Sequence, residues 1–137
     1  MRIVRWVAIA GCLALGACSF GADVPVAEKA VEGFHAQLNA GQFDTVYENG
    51  SADLKSTATR TDITALLGAI HRKLGAFKHG KTVSWNDNVT TAGHMITLGY
   101  EAAYQNGMAS EQFVYRIDHG RAALAGYHIS SNQLVLR

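Results

Sequence analysis

The feature that most narrows what this chain can fold into is the stretch from Met95 to Ile117, two alternating runs around Gln105-Asn106-Gly107-Met108. Asn-Gly between alternating runs is the strongest short-range hairpin signal, because both central residues of a type I′ turn need φ > 0. With Asn106-Gly107 at the centre, Gln105 stands opposite Met108. Tyr100 then falls opposite Phe113, Leu98 opposite Tyr115, and Ile96 opposite Ile117. These six side chains share one face, while Thr97 with Arg116 and Glu101 with Gln112 share the other. A slip of one residue would send one strand's apolar set to the wrong side. The pattern therefore demands an antiparallel sheet with one buried face.

The neighbouring strands follow from the same period. Asp118-His119-Gly120 reads as a three-residue loop with Gly120 in the left-handed position. It sets Tyr115 opposite Ala123, Phe113 opposite Ala125, and Glu111 opposite Tyr127. Upstream, His79 to Asn86, with Val83 and Trp85, reads as the first strand, leading into irregular chain near Thr90-Thr91-Ala92-Gly93. The tail from Asn132 to Arg137 carries Leu134 and Leu136 and is placed as an extension of the last strand.

Before residue 75 the period is helical. Ala27, Ala30, Val31, Phe34 and Leu38 are spaced by threes and fours, one face of a helix over Val26–Asn39. Pro25 suits its first turn and Gly41 its end. Phe43–Tyr47 reads as a short helix, and Ser51–Arg60 as a loop with room for a helical turn. Thr61 is placed as the N-cap of a second main helix, whose face is Ile63, Leu66, Leu67, Ile70 and Leu74 and whose stop is Gly75. Helices first and a meander afterwards is an α+β order. The expected architecture is two main N-terminal helices plus a short one, packed on a curved four-stranded antiparallel meander.

The first residues do not belong to that domain. Arg2 and Arg5 precede an apolar run, Trp6 to Leu15, that ends in small residues, the layout of a secretory leader. The run is too short for a spanning helix, which takes about 20 apolar residues. Leu15-Gly16-Ala17-Cys18 resembles the lipobox of bacterial lipoproteins, in which the cysteine is acylated and becomes the mature N-terminus. The resemblance implies a signal peptide over 1–17, a lipidated tether over 18–25 and a domain over 26–137. It also implies a cell-envelope location, with Ser19 after the cysteine favouring the outer membrane, facing the periplasm. Cys12 lies in the leader, so Cys18 is the one cysteine the mature chain keeps and no disulfide forms within it. From Cys18 to Pro25 the chain spans roughly 25 Å at most, which holds the domain close to the bilayer.

Charge narrows the partners. The chain has 12 Lys plus Arg and 11 Asp plus Glu; losing Arg2 and Arg5 leaves 10 against 11, a net charge of −1. There is no basic stripe to bind nucleic acid.

A first helix ending in "LNAGQFDTVYEN", a second ending in "HRKLG", and strands finishing in "AGYHIS" resemble the NTF2-like (cystatin-like cone) superfamily. Within it they are similar to small bacterial secreted and lipoprotein domains of unknown function. Arg72-Lys73-Leu74-Gly75 and Gly126-Tyr127 carry most of the likeness, which spans about residues 26–131. The resemblance implies a curved sheet wrapped around helices, often enclosing a pocket that serves catalysis in some members and ligand binding or dimerisation in others. A cystatin-like sheet wrapped on one helix is disfavoured by the second helical face.

Glu111 is the residue on which chemistry can be hung. The expected register points it to the side of Phe113 and Tyr115, near Tyr127 on one neighbour and Tyr100 or Tyr104 on the other. Two readings stand open: a cavity carboxylate acting as general base or ligand contact, or a rim carboxylate bonded to a tyrosine or to water. Trp85, Tyr100, Tyr104, Glu111 and Tyr127 are the candidate lining of a site for a small apolar ligand. The same aromatic set is also what a core would contain. The six histidines, His35, His71, His79, His94, His119 and His128, show no HxH, HxxxH or HExxH spacing, so no metal or other cofactor is called for. The chain has neither a GxSxG motif nor a P-loop. The expected role is a membrane-anchored binding or interaction module. Its alternatives are a small-molecule enzyme built on Glu111, and a homodimer paired through an outer sheet face holding Gln112, Val114, Arg116 and Leu124.

Overall fold

A computed structural model describes residues 20–136; the leader, Cys18 and Arg137 lie outside the described residues. Helix α1 covers Val24–Asn39, α2 Phe43–Glu48, α3 Ala52–Thr57 and α4 Arg60–Leu74. Four strands follow, β1 Phe77–Thr90, β2 Gly93–Tyr104, β3 Gly107–Asp118 and β4 Arg121–Ser130, and then a one-turn helix α5, Asn132–Val135. The strands form one antiparallel sheet in the order β1-β2-β3-β4, an open meander. The α+β class expected from the periods is the class observed.

The two main helices bury the faces their spacing predicts. Ala27, Val31, Phe34 and Leu38 of α1 and Ile63, Leu67, Ile70 and Leu74 of α4 are in the core, against Ile96, Leu98, Phe113 and Tyr115 of the sheet. Each large side chain so buried is worth about 1.5–3 kcal/mol. The rings of Tyr100 and Phe113 meet edge-on at 6.0 Å, as two residues of one face must. The N-cap of α4 is Thr59 rather than Thr61. Thr59 accepts from the Asp62 N–H at 3.1 Å while Asp62 accepts from the Thr59 N–H at 3.0 Å, a reciprocal box that satisfies two end groups at once.

Pairing in the central hairpin differs from expectation by two residues. Tyr100 stands opposite Glu111, Leu98 opposite Phe113, Ile96 opposite Tyr115, and Tyr104 opposite Gly107. Gln105-Asn106 is therefore the turn, and among the described non-glycine residues only His119 has positive φ, so it is not a type I′ turn. The cause is tertiary. The Gln105 N–H donates to the Ala76 carbonyl at 2.8 Å and the Asn106 N–H to the Leu74 carbonyl at 2.9 Å, so the turn closes on the C-terminal end of α4. A slide of two preserves every side chain's face, which is why the core prediction survives it.

The second turn is the tight one. Asp118 pairs with Arg121, leaving His119 (φ 49°) and Gly120 (φ 72°) as a two-residue loop with both φ values positive, the type I′ signature. Between Val114/Gly126 and Tyr115/Leu124 the register shifts, so Ala125 is the extra residue of a bulge. Tyr115 thus pairs with Leu124 rather than Ala123, Phe113 with Tyr127 rather than Ala125, and Glu111 with Ile129 rather than Tyr127. Leu124, expected on the outer face, is buried in the core. The bulge lies where the Ser51 N–H donates to the Leu124 carbonyl at 2.9 Å, so the α2–α3 junction covers part of the β4 edge. Beside it, Arg116 Nε and Nη2 grip both carboxylate oxygens of Asp53 at 2.6 and 2.8 Å, tying α3 to the sheet.

Three further expectations are corrected. The segment 51–60, read as a loop with room for a helical turn, holds the six-residue helix α3, longer than that one turn. The first strand runs on through Asn88 to Thr90, because β2 pairs with it as far as Gly93. The tail forms α5 instead of extending β4: Ser131 accepts from the Gln133 N–H and donates to the Met108 carbonyl, turning the chain back against β3.

Candidate functional site

The concave side of the sheet holds one polar cluster in an aromatic surround. Glu111 on β3 is 3% exposed, and His35 on α1, 76 positions away in the chain, is 2% exposed. His35 Nε2 lies 2.8 Å from Glu111 Oε1. The Tyr104 hydroxyl donates to Glu111 Oε2 at 3.0 Å, and the Tyr127 hydroxyl donates to the same oxygen. One carboxylate thus receives three donors from α1, β2 and β4 and joins every layer of the domain.

The local structure explains the placement. His35 follows Phe34 on the helical face of Val31 and Leu38, so it must point at the sheet. Glu111 alternates with Phe113 and Tyr115 on the inward side of β3. Each is the polar interruption of an otherwise apolar face, and the fold sets the two interruptions against each other. Rings close the surroundings. Phe77 stacks on the His35 imidazole at 3.6 Å with planes 4° apart, and Phe34 and Phe113 meet it edge-on at 5.5 and 5.7 Å. Tyr100 lies 5.3 Å from His35, centroid to centroid.

The tyrosines are held in their protonated form. Burial, and secondarily the Glu111 carboxylate, push the hydroxyls of Tyr104, Tyr115 and Tyr127 well above the usual phenol range; the same two causes raise Tyr100 less strongly. Tyr104 and Tyr127 therefore remain donors across the physiological range, as the bonds to Glu111 require. With the proton of His35 on Nε2 facing Glu111, Nδ1 presents a lone pair, and that buried atom has no partner among the described residues. An imidazole fixed by a carboxylate on one nitrogen and bare on the other is the arrangement of a general base with its orienting group.

Of the residues named from sequence, Tyr100, Tyr104, Glu111 and Tyr127 come together. Trp85 does not join them. It stands opposite Leu98 on β1, six residues (about 20 Å) along the sheet from Tyr104's position, and its ring packs on Phe20 at 5.5 Å. His35 is the member of the cluster that was not singled out in the sequence. Its spacing, four after Val31 and three before Leu38, was the available signal. A groove of about 170 Å³ opens between α1, α2 and β4, lined by Ala30, Gly33, Val46, Ala122 and Leu124 among others. The Tyr115 hydroxyl beneath it is buried and has no hydrogen-bond partner among the described residues. Among the described residues, no three His, Cys, Asp or Glu side chains converge as metal ligands, and no helix is long and apolar enough to cross a membrane.

Comparison with protein-family models and with curated proteins returned no match. What fold and site define is an open α+β meander with a buried, internally satisfied carboxylate.

Proposed function

We propose that the chain is a membrane-anchored envelope lipoprotein, tethered through acylated Cys18, whose NTF2-like cone is a non-catalytic binding or interaction module. The observation that carries the non-catalytic part is the saturation of Glu111. Its two oxygens take three donors from its own chain and its side chain has no exposed surface. A carboxylate so enclosed pins α1, β2 and β4 to β3; it is not free to meet a substrate. The anchor rests on the lipobox-like Leu15-Gly16-Ala17-Cys18 after a leader-like run. The outer membrane, facing the periplasm, is the location this favours. Acylation with more than one chain gives stable attachment, at about 0.8 kcal/mol per buried methylene. Cys18→Ser is expected to abolish labelling by a radioactive fatty acid and to release the protein from membranes; a Cys18→Ser chain that stays membrane-bound overturns the anchor.

The bare Nδ1 of His35 favours a second reading, an enzyme whose base is His35 oriented by Glu111, reached when the cone opens. Diethyl pyrocarbonate separates the two. In the closed module His35 stays unmodified while the exposed His79, His119 and His128 react. Modification of His35 in the folded chain would establish a route to it and favour the enzyme.

A further inference from the structure

The end of the domain nearest Cys18 carries apolar side chains that the core does not use. Phe20 is 74% exposed, Trp85 47% and Val89 73%. Trp85 and Val89 alternate on the same side of β1, opposite Leu98 and His94, and the Phe20 ring lies 5.5 Å from the indole.

The path of the chain here is fixed. The Gly21 N–H donates to Asp87 Oδ2 at 2.8 Å, and the Val24 N–H to the Gly21 carbonyl at 3.1 Å. Gly21 has φ +81°, and a Cβ on it would sit 2.8 Å from the indole ring, so only glycine lets the backbone cross Trp85 this closely. Beside the crossing a single imidazole bridges two carboxylates: His94 Nε2 lies 2.6 Å from Asp87 and its Nδ1 3.6 Å from Asp23, so the ionisable groups here are acidic in excess. Asp87 lies between Trp85 and Val89 on that side with its side chain nearly covered, so what the shelf exposes is aromatic and aliphatic, with no lysine or arginine among its described residues.

We propose that this shelf of Phe20, Trp85 and Val89 is a bilayer-docking surface that enters the headgroup region of the membrane carrying the tether and sets the orientation of the domain on it. The inference rests on the lipid-anchor reading and deepens it. Cys18 is two residues before Phe20, so its Cα, from which the acylated groups branch, lies within about 7 Å of the Phe20 Cα. Aromatic side chains with an apolar body concentrate at the membrane–water interface. A second copy of the chain fits the shelf less well. Full burial of Phe and Trp supplies about 150–250 Å² each, whereas a stable dimer takes about 800 Å² from each partner. Because the described shelf holds no basic cluster, docking requires apolar insertion and gains nothing from anionic lipid.

The test uses the full chain with Trp6→Phe, which leaves Trp85 as the sole tryptophan whether or not the leader is removed. The protein is reconstituted in phosphatidylcholine vesicles brominated near the carbonyl end of the acyl chains, with fatty-acid label on Cys18 read in parallel. Docking predicts that Trp85 emission shifts to the blue, is quenched by the brominated lipid, and is shielded from acrylamide in the water. A second reporter, Phe20→Trp in the background Trp6→Phe with Trp85→Phe, is quenched likewise. Labelled protein whose Trp85 is untouched by bromine and open to acrylamide overturns the docking and leaves the anchor standing. Labelled protein whose Trp85 is blue-shifted but unquenched, sedimenting as a dimer from detergent, overturns it in favour of a second copy. An unlabelled Cys18 removes the anchor and the docking with it.

Discussion

Replacing Glu111 by leucine is the sharpest perturbation of this fold. Leucine has no acceptor, so Glu111→Leu strands three buried donors: His35 Nε2, the Tyr104 hydroxyl and the Tyr127 hydroxyl. A buried donor without a partner costs about 1–3 kcal/mol, so the three sum to about 3–9 kcal/mol. A domain of this size has about 5–15 kcal/mol in all, and the variant should be marginally folded. Combining Glu111→Leu with Tyr104→Phe and Tyr127→Phe removes two of the stranded groups, leaves only His35, and should recover about two-thirds of the loss, because deleting both sides of a buried bond is far cheaper than deleting one. Urea unfolding followed by far-ultraviolet circular dichroism measures both. At a slope of about 2 kcal/mol/M, a loss of about 5 kcal/mol lowers the midpoint by about 2.5 M. If Glu111→Leu lies within about 1 kcal/mol of the parent, or the triple variant is no better than the single one, the cluster is not the fastening described.

Two further outcomes follow from other parts of the fold. The Arg116 guanidinium holds the Asp53 carboxyl, and the Gly21 N–H the Asp87 carboxyl, below the ordinary value of 3.8. The unfolded chain therefore takes up these protons first as pH falls, so the stability they contribute is present above about pH 4 and lost below it. Arg116→Gln should shrink the difference between the urea midpoints at about pH 7 and about pH 3; an unchanged difference would remove Asp53 from the account. Gly75, which ends α4 at φ 72° and ψ −155°, occupies a region open essentially to glycine alone, and a Cβ there would meet Gln105 Oε1 at 2.8 Å. Gly75→Ala should cost about 1–3 kcal/mol, read as a lower melting temperature.

What could be read from the sequence was what depends on near neighbours in the chain. Periods of 3.6 and two assign each side chain to a face, so the inward sets of α1, α4, β2 and β3 were legible, as were the α+β order and the inward aim of Glu111 toward Tyr104 and Tyr127. Exact pairing was not, because a turn is selected by whatever satisfies its backbone groups. The carbonyls of Leu74 and Ala76 claim Gln105 and Asn106, and the I′ geometry expected of Asn106-Gly107 occurs instead at His119-Gly120. Leu124 was misplaced because the loop after Asp118 has two residues rather than three, which sets it opposite Tyr115; the extra residue at Ala125, beside the Ser51 contact, then returns Tyr127 to its expected face. His35 marks the limit most plainly. Its spacing put it on an apolar face, but nothing local says that Glu111 waits across the core, since the pairing of two buried polar groups is settled only when helix and sheet meet and each must find a partner or remain unsatisfied.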